Sequence, residues 1–140
     1  MILHGACHCR NIAFALTWAP DPIEIATRAC TCSFCTRHGN VWTAYPAGVL
    51  RVAIVEPAQV STYAFETRTA DFHVCARCGV VPVATSRIAG RLYAVVNANT
   101  FDGVDPQLLR RAPVSFDGEA PDARLARRAR AWIGDVELVS

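Results

Sequence analysis

The sequence predicts a mainly β protein with a single domain over residues 1–140, built as a β-sandwich or barrel-like structure and cross-linked by bound metal. Three observations predict this class. Short stretches alternate apolar and polar residues, turn residues recur about every eight to twelve positions, and seven cysteines fall into three clusters. The chain has 140 residues, 52% of them apolar and 19% charged, which is enough apolar material for one core.

The first predicted strand begins at Ile12. Ile12, Phe14, Leu16 and Trp18 alternate with smaller or polar residues. A period of two places these four side chains on one face of a strand. Further strands are predicted at 23–27, 41–45, 50–55, 60–65, 70–74, 80–85 and 92–98. The segment between 27 and 41 is predicted to be a loop that carries three cysteines.

Two short helices are predicted near the C-terminus. In 105–111, Asp105 can cap a first turn that begins with Pro106. In 121–133, an apolar helix face is predicted from Leu125, Ala129, Trp132 and Ile133. The opposite face carries Arg124, Arg127, Arg128 and Arg130. We expect this arginine face to be solvated, and the alternative is a nucleic-acid patch.

Composition excludes several function classes. All 14 basic residues are arginine, so a lysine Schiff base, a Lys-dependent phosphate loop and a Ser-Lys nucleophile pair are ruled out. The formal net charge of +2 argues against nucleic acid as a partner. No signal-like segment opens the chain and no apolar run approaches about 18 residues. We therefore expect a cytoplasmic protein without a membrane partner.

The cysteines are the main functional signal. An odd number of them, spaced two or three residues apart, does not suit a disulfide framework, whereas it suits metal ligation. The preferred grouping gives one four-ligand structural zinc site, made of Cys7, Cys9, Cys75 and Cys78. It leaves a three-ligand site made of Cys30, Cys32 and Cys35. One alternative is that the middle cluster shares a metal site with the cysteines of 75–78, which leaves the two cysteines of 7–9 without a complete site. The other is that the cysteines are inert buried thiols.

A three-cysteine zinc site predicts thiol chemistry. Three thiolates leave a bound Zn²⁺ with one net negative charge and weak Lewis acidity, which disfavours activation of water. A soft sulfur environment suits an incoming thiol, whose pKa falls on coordination so that it remains a nucleophile at neutral pH. The residues thus predict a protein that presents a small thiol to an electrophile. The alternatives are a zinc ion that only cross-links the loop and a non-catalytic module that binds a thiol or a protein partner.

Three motifs together resemble a known family. They are Gly5-x-Cys7-x-Cys9, Cys30-x-Cys32-x-x-Cys35 followed by Arg37 and Gly39, and Cys75-x-x-Cys78-Gly79. Their order and spacing resemble the glutathione-dependent formaldehyde-activating (GFA) family, which also includes centromere protein V. The segment from Asn97 to Asp102 is similar to a weaker family motif. The likeness covers about two thirds of the chain.

The resemblance implies a tent-like β-sandwich with two zinc ions per chain. It implies that the first and last motifs hold a structural zinc and that Cys30, Cys32 and Cys35 hold a catalytic zinc. The implied activity is that of a carbon–sulfur lyase that adds glutathione to formaldehyde, giving S-hydroxymethylglutathione. A small thiol such as glutathione and a small aldehyde are thus the implied partners. Thr31 departs from the pattern, because many members carry His between the first two site cysteines.

Three residues after the middle cluster are predicted to contact substrate. Arg37 can form a two-pronged hydrogen bond with a glutathione carboxylate, and the alternative is a surface arginine. His38 can act as a general acid or a fourth zinc ligand, and the alternative is a solvated loop histidine. Trp42 can form a pocket wall, and the alternative is a core residue. Asn97 and Asn99 can hydrogen-bond a peptide-like substrate.

Overall fold

The computed structural model describes residues 1–140 as two β-sheets with helices over the larger sheet. In chain order the strands are β1 (Ile2–Ala6), β2 (Ile12–Thr17), β3 (Ile25–Cys30), β4 (Val41–Thr43), β5 (Val49–Ile54), β6 (Val60–Tyr63), β7 (Asp71–Cys75), β8 (Val83–Ile88), β9 (Arg91–Asn97), β10 (Leu109–Val114) and β11 (Asp135–Val139). The helices are α1 (Ser33–His38) and α2 (Pro121–Ala131), with 3₁₀ turns at Pro57–Gln59, Ala98–Thr100 and Pro106–Leu108. The smaller sheet has the order β1-β2-β5-β11, and the larger has the order β10-β3-β4-β9-β8-β7-β6. The predicted mainly β fold is confirmed.

The two sheets pack face to face through an apolar core. Ile12, Leu16 and Leu50 come from the smaller sheet and are fully buried. They belong to the same cluster as Val83 and Val96 of the larger sheet. Each such side chain contributes about 1.5–3 kcal/mol when it leaves water. The inter-sheet core is therefore a major source of folding free energy.

The larger sheet has a second apolar face, which points away from the smaller sheet. Successive residues of a strand point to opposite faces, so Val83 and Val96 face the inter-sheet core while Ala84 and Val95 face the other way. Ala84 lies opposite Val95 in the register of β8 and β9. Trp42 of β4 and the α-helices complete this outer cluster. A cavity lies between this face and α2.

The segment predicted to be a three-cysteine loop contains helix α1. Cys32 caps its N-terminus, because its sulfur accepts a hydrogen bond from the Cys35 backbone N–H. Gly39 ends it in the left-handed region with a φ of 69°, and its N–H bonds to helix carbonyls. The prediction of an irregular loop is wrong because these two caps stabilise a helix of only six residues.

Every predicted strand is present, but three further strands were not predicted. The eight predicted stretches overlap β2 through β9, with boundaries shifted by up to about three residues. β1, β10 and β11 lie outside them. The helix predicted at 105–111 is wrong, because only Pro106–Leu108 forms one 3₁₀ turn. From Leu109 the chain pairs in parallel with β3, and this pairing overrides the local helix signal.

Helix α2 is confirmed over Pro121–Ala131, and Trp132 and Ile133 of the predicted apolar face are buried, but the predicted solvation of the arginine face is wrong. Arg124 and Arg127 are half-buried and Arg128 is buried, whereas Ala129 is exposed. The arginine stripe therefore faces the protein, where carboxylates and hydroxyls receive it, and Arg130 alone of the four points to solvent. None of the helices combines the length and apolarity needed to cross a bilayer.

Gly5 provides a test of the packing between β1, β2 and the turn after β9. A Cβ at this position would lie 2.6 Å from Phe14 Cε2 and 2.8 Å from the Thr100 carbonyl oxygen. We expect Gly5→Ala to lower the free energy of unfolding by about 1–3 kcal/mol through overpacking. Urea unfolding followed by circular dichroism measures the loss.

Gly134→Ala is the matched control for this prediction. A Cβ there would meet only the end of the Arg91 side chain, which can move. Equal losses of unfolding free energy in the two variants would show that the close packing around Gly5 does not limit which side chain is tolerated there.

Candidate metal centres and the adjoining cavity

Four cysteines meet at one end of the inter-sheet core. Cys7 follows β1, Cys9 lies in the next turn, Cys75 ends β7 and Cys78 lies in the turn after it. Their sulfur atoms all lie within 4.8 Å of one another. The Cys9 and Cys75 sulfurs are 3.4 Å apart, and those of Cys7 and Cys9 are 3.8 Å apart. Tetrahedral zinc with Zn–S bonds of about 2.3 Å separates its sulfurs by about 3.8 Å. The four side chains thus fit one such ion.

Burial and hydrogen bonding act in opposite directions on the thiols of this cluster. Burial opposes ionisation of Cys78, but backbone hydrogen bonds with Cys9 and Val80 outweigh it and lower its pKa to about 6. Burial raises the pKa of Cys7 to about 12, although the Ile12 N–H donates to its sulfur. A divalent cation would stabilise all four thiolates, and the cluster is then closed, as in structural sites.

Three cysteines meet on the outer face of the larger sheet. Cys30 ends β3, Cys32 caps α1 and Cys35 lies in its first turn. Their sulfurs also lie within 4.8 Å of one another, and no further His, Cys, Asp or Glu ligand atom joins the group. This arrangement leaves one side of a tetrahedral ion without a protein ligand. The structure thus groups the seven cysteines as four and three.

Hydrogen bonds order the sulfurs of the three-cysteine cluster. The Trp42 Nε1–H donates to Cys35 Sγ at 3.3 Å, and the Cys35 N–H donates to Cys32 Sγ at 3.3 Å. A hydrogen bond from Cys35 lowers the pKa of Cys30 to about 5. The same contact, together with burial, raises the pKa of Cys35, and burial raises that of Cys32. The contacts within the cluster thus favour ionisation of Cys30 over that of Cys35.

A cavity of about 420 Å³ opens beside the three cysteines. This volume lies in the range of small-molecule sites, about 300–1,000 Å³. The outer face of the larger sheet forms its apolar wall, with Trp42, Phe72, Ala84 and Val95. Helix α2 and the segment before it form the polar wall, with Ser115, Phe116, Asp117, Arg124, Arg127 and Arg128. All three sulfur-bearing residues line the cavity, so an open ligand position there is reachable by a small molecule.

The structure brings one of the three predicted substrate-contacting residues to the cavity. Trp42, 6% exposed, lies in its wall. Arg37 is exposed and donates to the Ser33 carbonyl at 3.2 Å, and the His38 ring is 4.6 Å from that of Phe34. Neither Arg37 nor His38 lines the cavity. Their roles as substrate ligands remain predictions.

Asn97 and Asn99 hold the end of α1 in place. The Asn97 amide donates to Asn40 Oδ1 at 3.1 Å and to the Val81 carbonyl at 3.0 Å, and its oxygen accepts from the Val41 N–H. Asn99 donates to the Gly39 carbonyl at 2.6 Å. These contacts connect the Asn97–Asp102 motif to the cysteine helix, which gives the motif a structural role.

Four arginines in the cavity were missed by the sequence analysis. They are Arg28, Arg124, Arg127 and Arg128. Strand alternation could have predicted the position of Arg28, because Arg28 lies two residues before Cys30 and therefore lies on the same face of β3. The three arginines of α2 lie on the helix face that the sequence analysis predicted to be solvated.

Two cysteine clusters on a two-sheet scaffold define a class of metal-binding β proteins in which one cluster is closed and the other open. The match to known families is more specific. A sequence model described as glutathione-dependent formaldehyde-activating enzyme (GFA) matches residues 2–114, which include all seven cysteines. The chain belongs to this family. Helix α2 and β11 lie beyond the matched residues.

A solved structure also resembles this chain. It is the crystal structure of a Rhodobacter sphaeroides protein, with 29% sequence identity and a TM-score of 0.53. The likeness covers 74% of this chain and 92% of that one. The β scaffold described above is therefore shared with an experimentally determined structure.

Metal content tests the grouping of the cysteines. We expect two divalent ions per chain by elemental analysis, because each cluster fits one ion. Cys35→Ser should reduce the content to one ion while the chain still unfolds cooperatively, since that cluster lies outside the inter-sheet core. Cys75→Ser should remove the other ion and lower the melting temperature, because Cys75 is fully buried in that core.

His8→Ala is the control, since the exposed His8 lies between two of the cysteines. It should retain two ions. Loss of both ions in the Cys35→Ser variant would contradict two independent centres.

Proposed function

We propose that this protein is a zinc-dependent carbon–sulfur lyase that binds a glutathione-like thiol at the three-cysteine centre and adds it to a small aldehyde such as formaldehyde. The product of that addition is S-hydroxymethylglutathione or a related adduct. Membership of a family described by glutathione and formaldehyde supports the choice of substrates. Because all seven cysteines are free thiols, we place the protein in a reducing compartment such as the cytoplasm.

The observation that carries this proposal is the open side of the three-cysteine cluster. Three sulfurs lie together at a cavity of about 420 Å³, and the chain supplies no fourth ligand. The four-cysteine cluster, by contrast, has a full tetrahedral set. When bound, zinc at the open cluster would lower the pKa of a thiol and hold its sulfur as a thiolate.

The chain's own residues position the reactants and limit water. Cys30, Cys32 and Cys35 would form the ligand set, and the Trp42 N–H would then stabilise the negative charge of a metal-bound Cys35 thiolate. The apolar wall excludes part of the solvent around the thiol. Proximity supplies most of the required acceleration, because the addition of thiolates to aldehydes is already facile.

The reaction balances without an external oxidant or reductant. The substrate thiol gives up its proton on binding. Its sulfur lone pair forms the new bond to the carbonyl carbon, and the C=O π electrons move to the oxygen. That oxygen takes a proton from solvent. Ser33 lines the cavity with a hydroxyl that can donate a hydrogen bond to the developing alkoxide, whereas the Thr31 hydroxyl donates to the Val114 carbonyl at 3.2 Å.

Cys32→Ala tests the assigned chemistry. We expect the rate of adduct formation above the uncatalysed background to fall at least about tenfold, because a first-sphere ligand is removed. The fold and one bound ion should remain. Proton NMR of the glutathione–formaldehyde adduct measures the rate of its formation. Exchange spectroscopy measures the rate of interconversion between the adduct and its components at equilibrium.

Thr36→Ala is the matched control, since Thr36 is exposed on the same helix and does not line the cavity. It should keep the full rate. A Cys32→Ala protein with undiminished turnover would exclude the proposed site. If the unmodified protein shows no turnover and glutathione leaves the visible spectrum of its cobalt-substituted form unchanged, the chain is a non-catalytic metal-binding module.

A further inference from the structure

Two arginines in the cavity form no ion pair with a carboxylate of the protein. The Arg28 side chain makes no hydrogen bond and no ion pair, and the Arg128 side chain donates hydrogen bonds only to hydroxyl groups. The other two cavity arginines differ. Arg124 lies 3.0 Å from Glu66, and Arg127 lies 3.0 Å from Glu119. Arg28 and Arg128 are thus the available cations of this site.

Arg128 is buried with part of its hydrogen-bonding capacity unused. It is 7% exposed, and its Nη1 donates to Thr69 Oγ1 at 2.8 Å and Ser86 Oγ at 3.3 Å. Its Nε has no partner. Burial and the nearby Arg127 and Arg124 lower its pKa to about 10, so it stays charged at neutral pH. A buried charge without a counter-ion is costly unless an anion joins it.

The two guanidinium groups reach the same cavity from different directions. Arg28 lies on β3, on the same face as Cys30 and opposite Trp42 in the neighbouring strand. Arg128 comes from α2, where its guanidinium carbon lies 5.0 Å from the Trp132 ring centroid. The cysteine cluster lines this cavity as well. One small molecule can therefore contact the metal centre and the cations together.

We propose that Arg28 and Arg128 bind a carboxylate of the small molecule that reacts at the three-cysteine centre. The substrate class is then a carboxylate-bearing thiol or a carboxylate-bearing aldehyde. This inference rests on the proposed function, and it adds a specificity element made of Arg28 within the family match and Arg128 on a helix outside it. Guanidinium groups are suited to this role because their paired donors match the two oxygens of a carboxylate.

Formaldehyde alone accounts for neither the charge nor the size of the cavity. It is neutral, and it has two non-hydrogen atoms in a space of about 420 Å³. A competing explanation is that the arginines only balance the negative charge of a thiolate-bound ion. That explanation requires no preference for a carboxylate on the substrate, whereas our proposal does.

Binding measurements separate the two explanations. Isothermal titration calorimetry of the zinc-loaded chain compares glutathione with its diethyl ester, and glyoxylate with formaldehyde. We expect the carboxylate-bearing member of at least one pair to bind about 10- to 100-fold more tightly, the range of a charge-assisted hydrogen bond. A preference in the first pair assigns the carboxylate to the thiol, and one in the second assigns it to the aldehyde.

Variants test whether the two arginines cause the preference. Arg28→Gln and Arg128→Gln should each reduce the ratio of the affinity for the carboxylate-bearing ligand to that for the neutral ligand toward one. Arg130→Gln, on the exposed side of α2, should leave this ratio unchanged. Should Arg128→Gln fail to fold, Arg128→Lys keeps the charge without the paired donors and should lower the ratio in part. Arg28→Gln, at a half-buried position, gives the second test.

Two results would overturn the proposal. One is a ratio near one for both pairs in the unmodified protein. The other is a ratio of the two affinities in a pair that neither Arg28→Gln nor Arg128→Gln changes. A variant that binds the carboxylate-bearing and the neutral ligand equally less tightly counts as such a result. Turnover measured in parallel keeps the proposals distinct. Adduct formation without a carboxylate preference would remove only the anion site, and an arginine-dependent preference without turnover would remove only the lyase activity.

Discussion

Side-chain alternation in the larger sheet is the constraint on which the two cysteine centres depend. Cys75 occupies an inward position of β7 and joins the inter-sheet core, whereas Cys30 occupies an outward position of β3. The first centre is thereby anchored in the core by Cys7 and Cys75 and offers four sulfurs, and the second opens to a cavity and offers three. A shift of one residue in either strand would exchange these environments.

Helix α1 converts a short cysteine motif into an open site. A helix brings residues three apart onto one side, so Cys32 at the N-cap and Cys35 in the first turn approach Cys30 at the end of β3. The chain then turns away at Gly39, and Asn97 and Asn99 hold that turn from the neighbouring strand. The cysteine group itself contains no further His, Cys, Asp or Glu ligand atom.

The outer wall of the cavity comes from α2, which lies outside the residues that match the family. The matched residues contain both cysteine centres and Arg28, while the C-terminal segment supplies the other three cavity arginines, Arg124, Arg127 and Arg128. The two arginines of the proposed carboxylate site thus come from different parts of the chain, Arg28 from the matched scaffold and Arg128 from α2.

Local pattern was enough to predict eight of the strands and the grouping of the cysteines, because alternation, spacing and ligand chemistry are short-range properties. The short helix at the cysteines was missed although its caps at Cys32 and Gly39 are local. The strand that replaced the 105–111 helix and the direction of the α2 arginines depended on tertiary structure. Each is decided by a partner distant in sequence: β3 for the strand from Leu109, and Glu66, Thr69 and Ser86 for the arginines. Hydrophobic periodicity alone points arginine toward water, and only the folded cavity supplies the polar groups that receive it inside.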